Sequence, residues 1–270
     1  MKKSIYLLAF CLFLAITVPV IAVDVTEDAT YVIIKTAGYE AHWNKAAQMG
    51  YMEVFVGGSK ESIIGKAGRA FYHSGMYGGN WHDWGALQKW EISKKETGKT
   101  AVKYTSSDGA QKNYSVLVTY YDSVPYIKHE VTITNPADPE IDVLASGHSP
   151  MFEVGVDMVG MKVFTQPYPY GSYWTKSGFF GALYGPKAQI AELTEWGGRN
   201  PGRMHLIHDN LNKKIKKNES FTYTYYVAFG KGGEKEATDL ASKVQTEPST
   251  TAVSPKDALS TTWGHIRAGY

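Results

Sequence analysis

Hydrophobic and polar residues alternate along much of this chain, most clearly between Asn113 and Thr134. Tyr114, Val116, Val118 and Tyr120 share one face of an extended segment. After the turn Asp122-Ser123-Val124-Pro125, Ile127, His129, Val131 and Ile133 do the same. Side chains alternate sides along a strand, so this period of two predicts two half-buried antiparallel strands joined as a hairpin. His129 is the odd member, a polar ring in an apolar row, and a histidine so placed is expected to be a hydrogen-bonded interior residue. Further strands are predicted at 31–36, 52–56, 88–93, 101–105, 161–165, 189–194, 203–208 and 221–229, all rich in Val, Ile, Tyr, Phe and Thr and separated by Gly, Asn, Asp and Ser. One helix is predicted between Gly233 and Gln245, where Ala237, Leu240, Ala241 and Val244 recur at helical spacing, with acids early and Lys243 late. Many strands, a single late helix and no βαβ rhythm predict an all-β fold, an antiparallel β-sandwich with one short C-terminal helix. No repeat of fixed period points to a propeller or a solenoid.

The ends of the chain read differently. Lys2 and Lys3, the apolar run Ile5 to Val18, and Val20-Ile21-Ala22 have the form of a signal peptide over residues 1–22, which predicts export to a periplasmic, extracellular or cell-surface location and no membrane association after cleavage. Cleavage removes Cys11, the single cysteine, and so excludes a disulfide or a cysteine-ligated metal from the mature chain. It also removes two of the 28 basic residues, which then balance the 26 acidic ones. A balanced chain lacks the clustered basic surface of a nucleic-acid partner, and Lys213, Lys214, Lys216 and Lys217 are expected to form a solvated turn. The sandwich is assigned to 23–245, followed by a Pro-, Ser- and Thr-rich linker and tail over 246–270 that ends in an aromatic and an aliphatic residue, Trp263 and Ile266.

Within this frame the segment Tyr120-Tyr121-Asp122-Ser123-Val124-Pro125-Tyr126-Ile127-Lys128-His129-Glu130-Val131-Thr132-Ile133-Thr134-Asn135 resembles a strand pair of galactose-mutarotase-like domains. The opening Tyr31-Val32-Ile33-Ile34-Lys35-Thr36, with Tyr39-Glu40-Ala41-His42-Trp43, is similar to their first hairpin. The resemblance implies a β-supersandwich with a concave sugar-binding face. It also implies a carbohydrate partner, since such domains occur in sugar epimerases, polysaccharide lyases and as accessory parts of glycosidases.

The densest candidate site is Tyr72-His73-Ser74-Gly75-Met76-Tyr77-Gly78-Gly79-Asn80-Trp81-His82-Asp83-Trp84, read as a loop. Glycines permit unusual backbone angles, aromatic rings stack on sugar C–H faces, and His, Asp and Asn meet hydroxyls. His73 and His82 are the candidates for proton transfer; Tyr77, Trp81 and Trp84 are candidates for stacking. A second aromatic cluster from Pro167 through Trp174 to Phe180 is read as a long loop, with Trp174 as its stacking candidate. Arg199 and Arg203 flank a Gly-rich turn and could hold a uronate carboxylate in bidentate fashion. Histidines at 129, 148 and 205 and glutamates at 130, 153, 192 and 195 complete the acid–base inventory. His205 and His208 face opposite sides of a strand, no Ca²⁺-loop or phosphate-cradling motif occurs, and neither a metal nor a cofactor is expected. Three readings stay open: a polysaccharide lyase or sugar epimerase, a non-catalytic carbohydrate-binding or envelope module, and a protein-interaction module with a protein partner.

Overall fold

The computed structural model describes residues 23–244 apart from 58, 65–68, 78–79, 108–111, 139, 144–148, 155–157, 165–169, 186–191, 200–201, 208–212 and 242, so the signal-peptide and tail readings lie outside the described residues. The chain forms β1 (Asp24–Glu27), β2 (Tyr31–Lys35), β3 (Tyr39–Asn44), β4 (Tyr51–Val56), β5 (Arg69–Tyr77), β6 (Asn80–Asp83), β7 (Lys89–Glu96), β8 (Lys99–Ser107), β9 (Asn113–Tyr121) and β10 (Tyr126–Thr134). There follow β11 (Ile141–Val143), β12 (Ser149–Val154), β13 (Met158–Phe164), β14 (Tyr170–Thr175), β15 (Phe179–Tyr184), β16 (Glu192–Arg199), β17 (Gly202–Ile207), β18 (Lys213–Ile215), β19 (Ser220–Lys231) and α1 (Glu234–Ala241). A nine-stranded first sheet runs β1-β2-β3-β4-β5-β12-β17-β16, with β6 on β5, and an eight-stranded second sheet runs β13-β14-β15-β19-β10-β9-β8-β7. Every pairing among the described residues is antiparallel, which is the expected sandwich.

The alternation that defines β8, β9 and β10 defines the core. Val102, Tyr104, Val116, Val118, Tyr120, Val131 and Ile133 are wholly buried, facing Val32, Ile34, Trp43, Tyr51 and Val54 of the first sheet. Trp43 stacks on Tyr104 with ring centroids 4.2 Å apart, and Tyr225 stacks on His129 at 4.7 Å. His129 is fully enclosed, and its Nε2 lies 3.1 Å from the Tyr51 hydroxyl. Tyr51 donates to Tyr120 at 3.3 Å, and Tyr120 meets Tyr104 at 2.9 Å. With the ring proton on Nε2, the imidazole donates to Tyr51, Tyr51 to Tyr120 and Tyr120 to Tyr104, a line from β10 through β4 and β9 to β8. Burial without an opposing charge pushes the imidazole down to about 3, so His129 is a neutral tie between the sheets.

Two predicted loops are strands. The 72–84 segment is the β5–β6 hairpin, and Tyr170–Thr175 and Phe179–Tyr184 pair as β14 and β15 around a tight turn. Gly178 takes φ +74° there, and its N–H donates to the Thr175 carbonyl at 3.1 Å. Gly181, on β15, serves packing: a Cβ there would sit 2.2 Å from the Tyr173 ring. The basic cluster is half strand: Lys213–Ile215 pairs with β11, and Lys216 and Lys217 form the exposed turn. The helix is shorter than its periodicity predicted. Glu236 accepts from the Gly233 N–H at 2.7 Å at its start, and Ala237, Ala241 and Val244 pack on Phe180, Ala182, Tyr184 and Ala228 of the second sheet.

Candidate functional site

Strand parity separates the two faces of the first sheet. Tyr51 reaches into the core, Tyr51 pairs with Ala70, and Ala70 pairs with Phe152, so these positions share the inner face. The positions one residue away share the outer face. Across β5, β12, β17 and β16 they form an unbroken row: Arg69 pairs with Glu153, Glu153 with Arg203, and Arg203 with Trp196. The next outer row is Tyr72, Met151, His205 and Thr194. Directly paired positions on one face place Cβ atoms about 5 Å apart, so register brings two arginine positions to either side of a carboxylate position, with an aromatic one at the edge.

The same face continues onto β2, β3 and β4. Here His42 is held between two carboxylates: its Nδ1 lies 2.8 Å from Glu53 Oε2 and its Nε2 2.8 Å from Glu40 Oε1. Ionised carboxylates only accept, so both bonds form together when each ring nitrogen carries a proton. Lys35 reaches Glu40 at 3.2 Å. Burial raises the Glu40 carboxyl, but the bonds from His42 and Lys35 outweigh it and hold the group below the usual carboxylate range. Tyr31 and Phe55 flank the imidazole with centroids at 5.2 and 5.4 Å. The two nitrogens face different carboxylates, so the three groups diverge, and among the described residues no cluster of His, Cys, Asp or Glu is arranged to hold a metal ion.

The residues predicted from sequence divide between the faces. In the β5–β6 hairpin Gly75 pairs with His82, which places His73 and His82 on one face in diagonal positions. Register also pairs His73 with Pro150, two residues from Phe152, so both histidine positions and Tyr77 have the parity of the inner face. Trp81 pairs with Met76 and has outer parity, like Arg203. Arg199 pairs with Gly202 beyond a bulge, out of phase with Arg203. Trp84 is 1% exposed and stacks on Tyr114 at 4.4 Å, so its ring belongs to the core and offers no stacking surface. Trp174 is half-buried: its ring covers Gly160, where a Cβ would lie 2.5 Å away, and it packs with the cluster beneath α1. His208 and His148 lie outside the described residues. Arg69, Trp196 and His42 were not singled out from sequence; His42 occupies an alternating Glu-x-His stretch of β3 that reads as an ordinary strand.

The second sheet's outer face is different in kind. Part of it lies under α1, over Phe180, Ala182, Tyr184 and Ala228; beyond the helix Thr132 meets Thr222 at 2.9 Å, Thr134 meets Ser220 at 2.7 Å and Lys128 meets Glu130 at 3.2 Å, polar groups satisfied by one another.

No protein-family model and no curated protein sequence matches the chain. Among solved structures it is similar to the galactosidase domain of an alpha-galactosidase–sucrose kinase, with a TM-score of 0.57 at 10% identity over 78% of this chain and 42% of that one. A galactose mutarotase-like protein from Lactobacillus casei aligns with a TM-score of 0.45 at 10% identity, over 74% of this chain and 99% of that one. An active YidC insertase aligns with a TM-score of 0.47 at 10% identity, over 84% of this chain and 45% of that one. The chain thus spans less than half the length of the galactosidase domain it matches. At such identity the likeness is one of fold: the chain is a two-sheet β-sandwich of the kind present in that galactosidase domain.

Proposed function

We propose that the chain is an exported carbohydrate-binding protein that acts on a polysaccharide or oligosaccharide, and that the ligand lies on the outer face of the first sheet. The contrast between the two outer faces carries this reading. One is closed, covered in part by α1 and elsewhere lined by Thr, Ser, Lys and Glu that satisfy one another; the other collects arginine, glutamate, histidine and aromatic positions on neighbouring strands. Saccharides need both kinds of group, flat rings for C–H faces and charged or polar groups for hydroxyls and carboxylates.

In this reading Trp81 and Trp196 supply stacking, and Arg203, with Arg69 across Glu153, supplies the clamp for an acidic sugar. If turnover of the lyase or epimerase type occurs, His205 is the favoured proton-transfer group, because it shares a face with Arg203 and Glu153 while His73 and His82 share the other parity. A glycan array probed with the full chain, Trp81→Ala and Arg203→Gln tests the proposal. Binding that falls in both variants supports it; binding to no glycan overturns it and gives precedence to a protein-interaction module.

A further inference from the structure

At the end of the sandwich where the β2–β3, β4–β5 and β14–β15 connections meet, two cavities lie side by side. One, of about 470 Å³, opens from the outer face past Lys35, Glu40, His42 and Phe55; the other, of about 530 Å³, lies against Ile63, Thr175, Lys176 and Phe179. Both are lined by Ser59 and Lys60, so together they make one two-lobed groove that turns a corner at those residues. Each lobe has the volume of an ordinary small-ligand site.

The walls are fixed in advance. Ile63 donates its N–H to the Val54 carbonyl at 2.8 Å and accepts from the buried Tyr173 hydroxyl at 2.9 Å. Ser59 donates to the Glu61 carbonyl at 2.8 Å, and the Ser62 hydroxyl accepts from the Val54 N–H at 3.1 Å. A groove held this way loses little freedom when a ligand enters.

Its charges are unevenly paired. Glu40 is already engaged by Lys35 and His42, and Glu61 is the other acid on the lining. Lys60 at the corner and Lys176 in the second lobe have no ion-pair or hydrogen-bond partner among the described residues, and both are exposed. Lys231 adds a further cation beside the start of the same segment, because Gly57 (φ +59°) leaves space that a Cβ would close: its Nζ lies 2.7 Å from that position. Single cations set among hydroxyls and the Phe55 and Phe179 rings suit a saccharide that offers anionic groups, hydroxyls and C–H faces together. A bare polyanion, by contrast, favours an unbroken basic stripe.

We infer that this groove binds an acidic oligosaccharide, one that carries carboxylate or sulfate groups. The inference rests on the carbohydrate reading above and adds to it a second binding site, away from the Arg203 row, for an acidic ligand longer than one sugar. Isothermal titration of the full chain with an oligogalacturonate, a heparin fragment and a neutral malto-oligosaccharide of matched length tests it, with linear polyphosphate as the non-saccharide anion. The expected result is tighter binding of one of the acidic saccharides than of the neutral chain or of polyphosphate. The Lys60→Gln/Lys176→Gln variant is then expected to bind it on the order of tenfold more weakly, with a shallower salt dependence. Both lysines are exposed, so the variant keeps the fold. Unchanged affinity in that variant, or polyphosphate binding as tight as the best saccharide, overturns the groove. Loss in Arg203→Gln with the lysine variant unchanged overturns the groove and leaves the sheet-face reading standing; loss in the lysine variant alone supports the groove and removes that reading.

Discussion

Acidification from neutral pH is expected to destabilise this protein through one residue before its carboxylates titrate. His129 is fully buried among Tyr51, Trp43 and Tyr225, and the tyrosines around it are themselves pushed upward by burial, so no anion is present to stabilise an imidazolium. Its proton affinity falls from the ordinary 6.5 to about 3. Between those values the unfolded chain holds a proton that the folded chain does not, so stability rises with pH across this window and is lost as pH falls. Each unit is worth about 1.4 kcal/mol, so at pH 4.5 the loss from this residue alone is about 2.7 kcal/mol. That is a large share of the 5–15 kcal/mol, roughly, that holds a domain of ordinary stability together. Urea unfolding at pH 6.5, 5.5 and 4.5 of the wild type and of His129→Gln reads it, because the difference in slope between the two cancels every other titrating group. The wild type is expected to lose about 1.4 kcal/mol per unit more than the variant. Should the glutamine variant fail to fold, the wild-type ring resonances of His129 serve instead, and they are expected to stay in the neutral form down to pH 4.5. Parallel slopes, or an inflection in those resonances near 6.5, would show that His129 titrates as freely in the folded chain as in the unfolded one.

Three further outcomes follow from the packing. Tyr51→Phe removes the hydroxyl that links His129 to Tyr120 and leaves buried polar groups short of a partner, which is expected to cost about 1–3 kcal/mol in chemical denaturation. Gly181→Ala drives a methyl into the Tyr173 ring and is expected to lower stability by about 1–3 kcal/mol, with the tie from Tyr173 to Ile63 loosened as faster amide exchange around 59–64. Trp84→Ala, by contrast with Trp81→Ala, is expected to act on stability, by about 3–5 kcal/mol, because its ring is enclosed and stacked on Tyr114.

The parts of this fold that were legible in the sequence are those built from local alternation. β9 and β10 are read directly from Tyr114 to Ile133, and β19 from Phe221 to Phe229, because each strand buries one face and wets the other. The 72–84 and 167–180 segments were read as loops because Gly and Pro are turn and loop signals, although their aromatic residues favour strands. In the folded chain Gly160 and Gly181 are the flat surfaces on which Trp174 and Tyr173 lie, a relation between strands that composition does not encode. The candidate site was legible only in pieces for the same reason. Arg203 stood out beside a Gly-rich turn, but its neighbours Glu153 and Trp196 arrive through the pairing of β12, β17 and β16, and Arg69 through β5. Trp84 and Trp81 were grouped by proximity in sequence, whereas Trp84 is enclosed in the core and the position of Trp81 on β6 has the opposite, outer parity.

A saccharide on the outer face of the first sheet is tested most sharply by an indole N–H titration of ¹⁵N-tryptophan-labelled protein with the glycan selected on the array, each signal assigned by Trp→Phe substitution. Trp81 and Trp196 are expected to shift together with ligand concentration while the enclosed Trp43 and Trp84 stay in place. Shifts confined to tryptophans away from that face, or no shift at saturating ligand, would contradict it.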